Sequence, residues 1–136
     1  MQIIVCVDDK GGMLFNKRRQ SRDRLLTADV ILGLGDKKIH ISSFSTLLFE
    51  GFEERCVIDD ELLKNASDED VCFVENIDLL PYVDKIDKIT VYHWNRSYPG
   101  DFFFSVDPVR EGFELTSTYE FEGYSHDKIT REIFER

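Results

Sequence analysis

The sequence is poor in cysteine and proline and has no long hydrophobic run. Its three cysteines, Cys6, Cys56 and Cys72, are odd in number and each lies within an apolar stretch, where cysteine usually packs as a small buried hydrophobic residue. A disulfide framework is therefore not expected. No stretch approaches the roughly 20 apolar residues of a membrane-spanning helix, and the amino terminus lacks the basic-then-apolar layout of a secretion signal. We expect a cytoplasmic protein that makes no membrane contact.

Positive charge is also scarce, with 17 Lys and Arg residues against 27 Asp and Glu residues and a formal net charge of −10. Proteins that bind nucleic acid do so largely by neutralising phosphates, so we expect no nucleic-acid partner. A chain of 136 residues, 42% of them hydrophobic, has the size of one ordinary domain with one core. Residues 1–136 are therefore predicted to form a single domain.

The first part of the chain alternates between strand and helix patterns. Short apolar runs rich in β-branched residues indicate buried strands, and apolar residues at helical spacing indicate helices. Strands are predicted at Gln2–Val7, Lys37–Ser42, Arg55–Ile58 and Val71–Val74, and helices at Arg22–Gly33, Ser43–Phe49 and from Asp59 onward. Such alternation is typical of a mainly parallel sheet.

The last third of the sequence contains strand patterns separated by turn residues, without a helical stretch. The predicted strands are Lys88–Trp94, Phe102–Val106, Phe113–Phe121 and Lys128–Phe134. Consecutive strands joined by short loops pair antiparallel. We therefore predict that these strands add an antiparallel edge to the parallel part of the sheet, in an α/β fold.

The order of these segments resembles the dihydrofolate reductase family over almost the whole chain. The first strand and its turn, VCVDDKGGM, are similar to the family's opening strand and the start of its mobile loop. The later segment KITVYHW, followed by Gly100-Asp101-Phe102, resembles a strand and a glycine-aspartate-aromatic turn of the family, and EIFER resembles its last strand. The resemblance implies a three-layer α/β sandwich with a mainly parallel central sheet and antiparallel C-terminal strands.

Several devices by which the family binds NADPH are missing from this sequence. After the strand matched by Val71–Val74 the family has paired glycines, which let backbone amides approach the cofactor's diphosphate. This chain has Glu75-Asn76-Ile77-Asp78 instead, and carboxylates repel phosphate oxygens at short range. The family's Gly-Arg-Lys-Thr segment is replaced by Ser42-Ser43-Phe44-Ser45-Thr46, which keeps hydroxyls and supplies no cation. No cofactor is therefore expected, with NADPH as the alternative.

Short chains of this kind also resemble proteins labelled ribonuclease Z, but the residues do not support that activity. That enzyme needs clustered histidines and aspartates to hold two zinc ions. The histidines His40, His93 and His126 are isolated along this sequence and are predicted to lie on separate strands or turns. We therefore predict no metal site, and we expect strand histidines with ordinary partners at His40 and His93.

Asp23 has two interpretations. The family carries a carboxylate that contacts the pterin at the start of its first helix, and the resemblance places Asp23 there as the candidate catalytic residue. The alternative is that Asp23 begins the helix and stabilises its first turn through the helix dipole. Its neighbours Arg22 and Arg24 favour the ionised carboxylate, whereas a catalytic acid needs burial to hold its proton near neutral pH.

The segment from Asn16 to Arg24 concentrates basic residues in an otherwise acidic chain. Arginine binds phosphates and carboxylates through paired hydrogen bonds, so this segment could hold a small anionic ligand or an acidic protein segment. A solvated loop that pairs with the chain's own carboxylates is the alternative. The candidate ligand-binding residues are Lys17, Arg18, Arg19, Arg22, Ser43 and Ser45.

Two functions remain open from the sequence. The first is a small-ligand or protein-interaction module on a dihydrofolate-reductase-like scaffold that has lost normal NADPH binding, in other words a pseudoenzyme. The second is a divergent NADPH-dependent reductase of a pterin-like substrate, with Asp23 relaying a proton. An aromatic set could line a ligand cleft in either case or belong to the core; its members are Trp94, Tyr98, Phe102, Phe103 and Phe104.

Overall fold

The structure, a computed structural model, describes all residues from 1 to 136 and contains a seven-stranded main sheet. The strands of this sheet are β1 (Gln2–Val7), β4 (Ile39–Ile41), β5 (Cys56–Ile58), β6 (Val71–Phe73), β7 (Lys88–His93), β9 (Glu114–Phe121) and β10 (Ile129–Glu135). Their spatial order is β5-β4-β6-β1-β7-β10-β9. Each matches a strand predicted from the sequence, with shifts of one or two residues at the ends.

The sheet changes from parallel to antiparallel at β7. Strand β1 pairs in parallel with both β6 and β7, and β4 pairs in parallel with both β5 and β6. Strand β10 runs antiparallel to β7, and β9 runs antiparallel to β10. The predicted fold class, a mainly parallel sheet with antiparallel C-terminal strands, is confirmed.

Two helices and three 3₁₀ turns connect the strands. They are α1 (Arg24–Gly33), α2 (Leu62–Asn65) and the 3₁₀ segments Ser43–Phe49, Glu53–Arg55 and Leu80–Lys85. The helix predicted from Asp59 onward begins only at Leu62, since the Asp59 carboxylate accepts from the Glu61 backbone nitrogen and the Asp60 carboxylate accepts from the Ser43 backbone nitrogen. No helix has the length and apolar character needed to cross a bilayer.

Hydrophobic residues cover both faces of the sheet and form three layers. On β1, Ile3 and Val5 face a core that includes Leu62 and Leu63 of α2. Ile4 faces the opposite way, into a second core that α1 closes with Leu26, Val30 and Leu34. This alternation follows from the two-residue period of a strand, and it explains why β1 reads as a continuous apolar run.

A second, three-stranded sheet was not predicted. It consists of β2 (Gly12–Phe15), β3 (Arg18–Arg19) and β8 (Phe102–Phe103), paired antiparallel in the order β3-β2-β8. The prediction that Phe102–Val106 adds a strand to the main sheet was therefore wrong. The register explains the difference, because Phe102 pairs with Leu14 of β2 rather than with a strand of the main sheet.

Strand β9 forms the outer edge of the main sheet. Most of its side chains are exposed, including Leu115 and Tyr119, and charged Glu114 and Glu120 interrupt its apolar residues. Only β10 pairs with it. This edge is therefore a solvated surface rather than part of the core.

Substituting Ile89 with alanine tests the position of the core. Ile89 is fully buried in β7, where it pairs with Ile3 of β1 and Phe134 of β10. Removing three carbon atoms there leaves a cavity, so we expect Ile89→Ala to lower the free energy of unfolding by about 2–5 kcal/mol. Urea titration followed by circular dichroism measures this. The control is Leu32→Ala, since Leu32 is 81% exposed; an equal loss in both variants would contradict the assignment.

Candidate functional site

The basic segment folds as a hairpin that separates its charges. Asn16 and Lys17 have φ values of 50° and 62°, which are typical of the tight turns that join two antiparallel strands. Strand β3 follows at once, and successive side chains of a strand point to opposite faces. Arg18 is therefore exposed, whereas Arg19 is turned inward and only partly exposed.

Arg19 forms a partly buried ion pair with Glu75, which lies just after β6. Its Nε and Nη2 donate to the two carboxylate oxygens at 3.0 and 2.9 Å. Nη2 also donates to the Phe44 carbonyl at 2.9 Å, and Ser45 Oγ donates to Glu75 at 2.7 Å. Burial, followed by the charge of Glu75, raises the pKa of the nearby Cys6 thiol. The charge of Arg19 is thus neutralised within the chain.

The structure divides the predicted ligand-binding residues into two groups. Arg19 and Ser45 bind Glu75, and Ser43 binds Asp60 through its backbone nitrogen at 2.7 Å and its hydroxyl at 2.8 Å. The side chains of the other three are exposed and form no hydrogen bond or ion pair within the chain. These three residues, Lys17, Arg18 and Arg22, are called the free basic group below.

Asp23 is the N-cap of α1, and its carboxylate has no exposed surface. Oδ1 accepts from the backbone nitrogens of Leu25 at 2.9 Å and of Tyr124 at 3.0 Å. Oδ2 accepts from the backbone nitrogen of Ser125 at 2.8 Å and from its hydroxyl at 3.2 Å. The carboxylate therefore joins the start of α1 to the turn between β9 and β10.

His126, in the same turn, completes the surroundings of Asp23. Its Nδ1 lies 2.9 Å from Asp23 Oδ2, and its Nε2 lies 2.9 Å from Ser21 Oγ and 3.2 Å from Tyr98 Oη. The imidazole is 2% exposed and stacks on Trp94, with ring centres 4.7 Å apart. An ionised carboxylate only accepts hydrogen bonds, so Nδ1 carries the proton, and in the neutral ring Nε2 accepts from the two hydroxyls.

Burial on its own favours a protonated Asp23, but the hydrogen bonds outweigh it. The backbone nitrogens of Ser125 and Tyr124 and the ring of His126 all donate to the charged form, and they hold the pKa of Asp23 well below its usual range. Asp23 is therefore a permanently ionised group at neutral pH.

Sequence reasoning missed His126 as a partner of Asp23. The two residues are 103 positions apart, and His126 lies in a turn rather than in a recognisable motif. A nearby signal is Gly123, where a Cβ atom would lie 2.7 Å from Asp23 Oδ2 and 3.0 Å from the His126 carbonyl oxygen. This glycine allows the turn to approach α1 closely.

A small recess lies between α1 and the sheet, beside Ser21 and the Trp94 ring that stacks on His126. Ser21, Asp23, Glu75 and Trp94 contribute to its wall, and the enclosed space is about 20 Å³, enough for about one water molecule. The other aromatic residues of the predicted set do not line this recess. Phe102 and Phe104 pack against the first core and Phe103 is 46% exposed.

Gly123→Ala tests the close approach of this turn to Asp23. The added methyl group has to displace the carboxylate or the His126 backbone, so we expect a loss of about 1–3 kcal/mol in the free energy of unfolding. Gly33→Ala is the matched control, because nothing lies within 4 Å of a Cβ atom there. That substitution removes a helix glycine and should stabilise by about 0.5–1 kcal/mol. Thermal unfolding of both variants measures these changes in stability. If Gly123→Ala and Gly33→Ala changed the stability equally, the close approach of the turn to Asp23 would be wrong.

Acid titration tests the charge of Asp23. A carboxylate whose pKa is depressed on folding contributes stability that is fully present above its unfolded pKa, about 4, and is lost as the pH falls toward the folded value. We expect Asp23→Asn to lower the free energy of unfolding by about 2–4 kcal/mol at pH 7. The difference in this free energy between the variant and the wild type should become smaller as the pH falls from 5 to 3. Urea unfolding across this range measures it. Asp84→Asn, at an exposed site, is the control. If the stability difference between Asp23→Asn and the wild type did not change with pH, the charged state assigned to Asp23 would be wrong.

Neither a protein-family model nor a curated relative matches this chain. Its structure is similar to that of a dihydrofolate reductase from Enterococcus faecalis, described as complexed with NADP(H) and RAB-propyl. The TM-score is 0.68 and the sequence identity is 12%, and the match covers 99% of this chain and 95% of the other. The chain therefore has a dihydrofolate-reductase-like fold.

Proposed function

We propose that this protein uses the dihydrofolate reductase fold to bind a small anionic ligand through the free basic group, and that it does not reduce a pterin with NADPH. The observation that carries the proposal is the separation of charges in the β2–β3 hairpin. Arg19 forms an ion pair with Glu75. The side chains of the free basic group, Lys17, Arg18 and Arg22, are exposed and have no acidic partner in the chain. In a protein of net charge −10, this group is a local site for anions.

The end of β6 supports the loss of dinucleotide binding. The resemblance to the reductase family implies paired glycines here, whose amides bind the cofactor's diphosphate. In this chain Glu75 occupies the first position with its carboxylate held by Arg19. Asp78 then accepts from the Leu80 backbone nitrogen at 3.1 Å and the Ser105 hydroxyl at 2.6 Å. Both bonds lower the pKa of Asp78, so an ionised carboxylate lies where a diphosphate needs donors. These residues do not fit NADPH.

The segment after β4 supports the same conclusion. In the reductase family this segment supplies a cation and a hydroxyl to the cofactor's 2′-phosphate. Here Ser43 bonds to Asp60, Ser45 bonds to Glu75, and Thr46 Oγ1 donates to the Ser43 carbonyl at 3.0 Å. Every one of these hydroxyls has a partner within the chain, and the cation beside the segment, Arg19, is already paired with Glu75.

The surroundings of Asp23 weigh against the reductase alternative. A proton relay needs a carboxyl group that contacts the ligand and holds a proton near neutral pH. Asp23 has no exposed surface, its oxygens accept bonds from α1 and the β9–β10 turn, and its pKa is depressed. The adjacent recess of about 20 Å³ is also far smaller than the several hundred Å³ of a typical ligand pocket.

Thermal-shift titration with inorganic pyrophosphate tests the proposal. A ligand at a hundredfold excess over its dissociation constant stabilises the folded state by about 2.7 kcal/mol, so we expect the melting temperature to rise and then saturate. The paired substitution Arg18→Glu and Arg22→Glu should abolish that rise. Arg110→Glu is the matched control, because Arg110 is exposed on a distant turn, and it should retain the full response.

The same experiment includes two opposing arms. Stabilisation by NADPH that survives the paired substitution, together with NADPH oxidation in the presence of dihydrofolate, would establish the reductase alternative. Stabilisation by a hexaglutamate peptide without any response to pyrophosphate would assign the basic group to an acidic protein segment. A pyrophosphate response that is unchanged in the paired variant would place the anion elsewhere.

A further inference from the structure

His126 has a pattern of contacts that the other two histidines lack. His40 and His93 each place Nε2 against a carboxylate, Asp70 at 3.4 Å and Glu132 at 2.5 Å, and neither ring has a hydroxyl on its second nitrogen. His126 has Asp23 on Nδ1 and the Ser21 hydroxyl on Nε2, both at 2.9 Å. This is the order of groups in which a serine hydroxyl is activated by an imidazole that a carboxylate orients.

We propose that Ser21, His126 and Asp23 form a nucleophilic site that hydrolyses an ester of a short carboxylic acid. Ser21 is the nucleophile, His126 is the general base and then the general acid, and Asp23 is a positioning residue that contacts His126, the Ser125 hydroxyl and the surrounding backbone. This inference goes beyond the proposed anion binding and does not depend on it.

The exposure of the three residues matches these roles. The side chains of Asp23 and His126 are 0% and 2% exposed, so solvent does not compete for their hydrogen bond. Ser21 is partly exposed and lines the recess, so its Oγ is the member of the series that a substrate can reach.

The positions of the donors fix the direction of proton transfer. Since Nδ1 donates to Asp23, the lone pair of Nε2 accepts the Ser21 proton as Oγ attacks the ester carbonyl. Asp23 remains ionised and stabilises the imidazolium that forms. The tetrahedral intermediate then expels the alkoxide, which takes the proton from Nε2, and an acyl group remains on Ser21. Water repeats the sequence: it adds to the acyl carbon, its proton passes to Nε2, and that proton returns to Oγ as the acid leaves.

The recess limits the acyl group. Its enclosed space of about 20 Å³ holds about one water molecule, so even an acetyl group has to displace the wall, and longer acyl chains have to displace it further. Gln20 lines the same recess, and its buried Oε1 has no partner within the chain, so an acceptor is available to a bound water molecule. We therefore expect acetyl esters to react faster than butyryl or octanoyl esters.

Covalent labelling and ester hydrolysis together test the site. The wild-type protein is treated with a fluorophosphonate, and the adduct is located by peptide mass spectrometry. Hydrolysis of p-nitrophenyl acetate, butyrate and octanoate is followed in parallel. We expect the adduct on Ser21 and the highest kcat/KM for the acetate. Ser21→Ala should abolish labelling and lower kcat/KM by roughly 100-fold or more, the usual range of a positioned base and its nucleophile.

Two further variants separate chemistry from folding. His126→Asn keeps an amide able to donate to Asp23 and removes the Nε2 base, so labelling of Ser21 should slow by roughly 100-fold while the melting curve shows a folded protein. If that variant does not fold, Ser21→Ala decides the question, because Ser21 is partly exposed and its hydroxyl caps no helix. Ser97→Ala is the matched serine control, since Ser97 is exposed and contacts Asp9, and it should behave as the wild type.

The opposing outcomes are equally definite. An adduct on Tyr98, whose hydroxyl also faces Nε2, would reassign the nucleophile and overturn the role of Ser21. Equal labelling of Ser97 and Ser21, or hydrolysis that persists in Ser21→Ala, would show only general surface reactivity. Pyrophosphate binding is measured separately on Ser21→Ala, so a negative labelling result leaves the anion-binding proposal standing and a negative binding result leaves this one standing.

Discussion

The enclosed carboxylate of Asp23 is the interaction on which the geometry of the site depends. It caps α1, holds the backbone of the β9–β10 turn, and orients His126 against Trp94. A buried charge is tolerated only when hydrogen bonds compensate for the lost solvation. Because these donors come from both ends of the chain, they hold the start of the first helix against the turn between the last two strands.

Much of the fold could be predicted because its signals are local. The seven strands of the main sheet and the body of α1 follow from apolar runs and helical spacing, although α1 begins at Arg24 and not at the predicted Arg22. The hairpin at Asn16 and Lys17 could not be predicted in the same way, since its positive φ values occur without a glycine. The conformation of that turn determines that Arg19 points inward and Arg18 outward. Which arginine is exposed therefore depends on the φ angles of the turn, and residue type alone does not reveal them.

Only one member of each interacting pair in the candidate site could be predicted from the sequence. Asp23 could be recognised from its place before a helix, and the basic segment from its charge. The partners Glu75 and His126 are 56 and 103 residues away from Arg19 and Asp23, and a single sequence contains no signal for such pairing. The two networks also occupy positions to which the resemblance assigned other roles: a phosphate-binding glycine was expected where Glu75 stands, and His126 encloses the carboxylate that was expected to contact a pterin.

The open edge of β9 has a consequence for how the molecule behaves in solution. An unpaired antiparallel strand offers its backbone groups to another copy, and proteins commonly guard such an edge with charge. Glu114 and Glu120 stand along β9, and they add to a surplus of negative charge that keeps copies apart. Near the isoelectric point that the composition gives, about 4.7, that repulsion is weakest, so the edge of β9 has its least protection there.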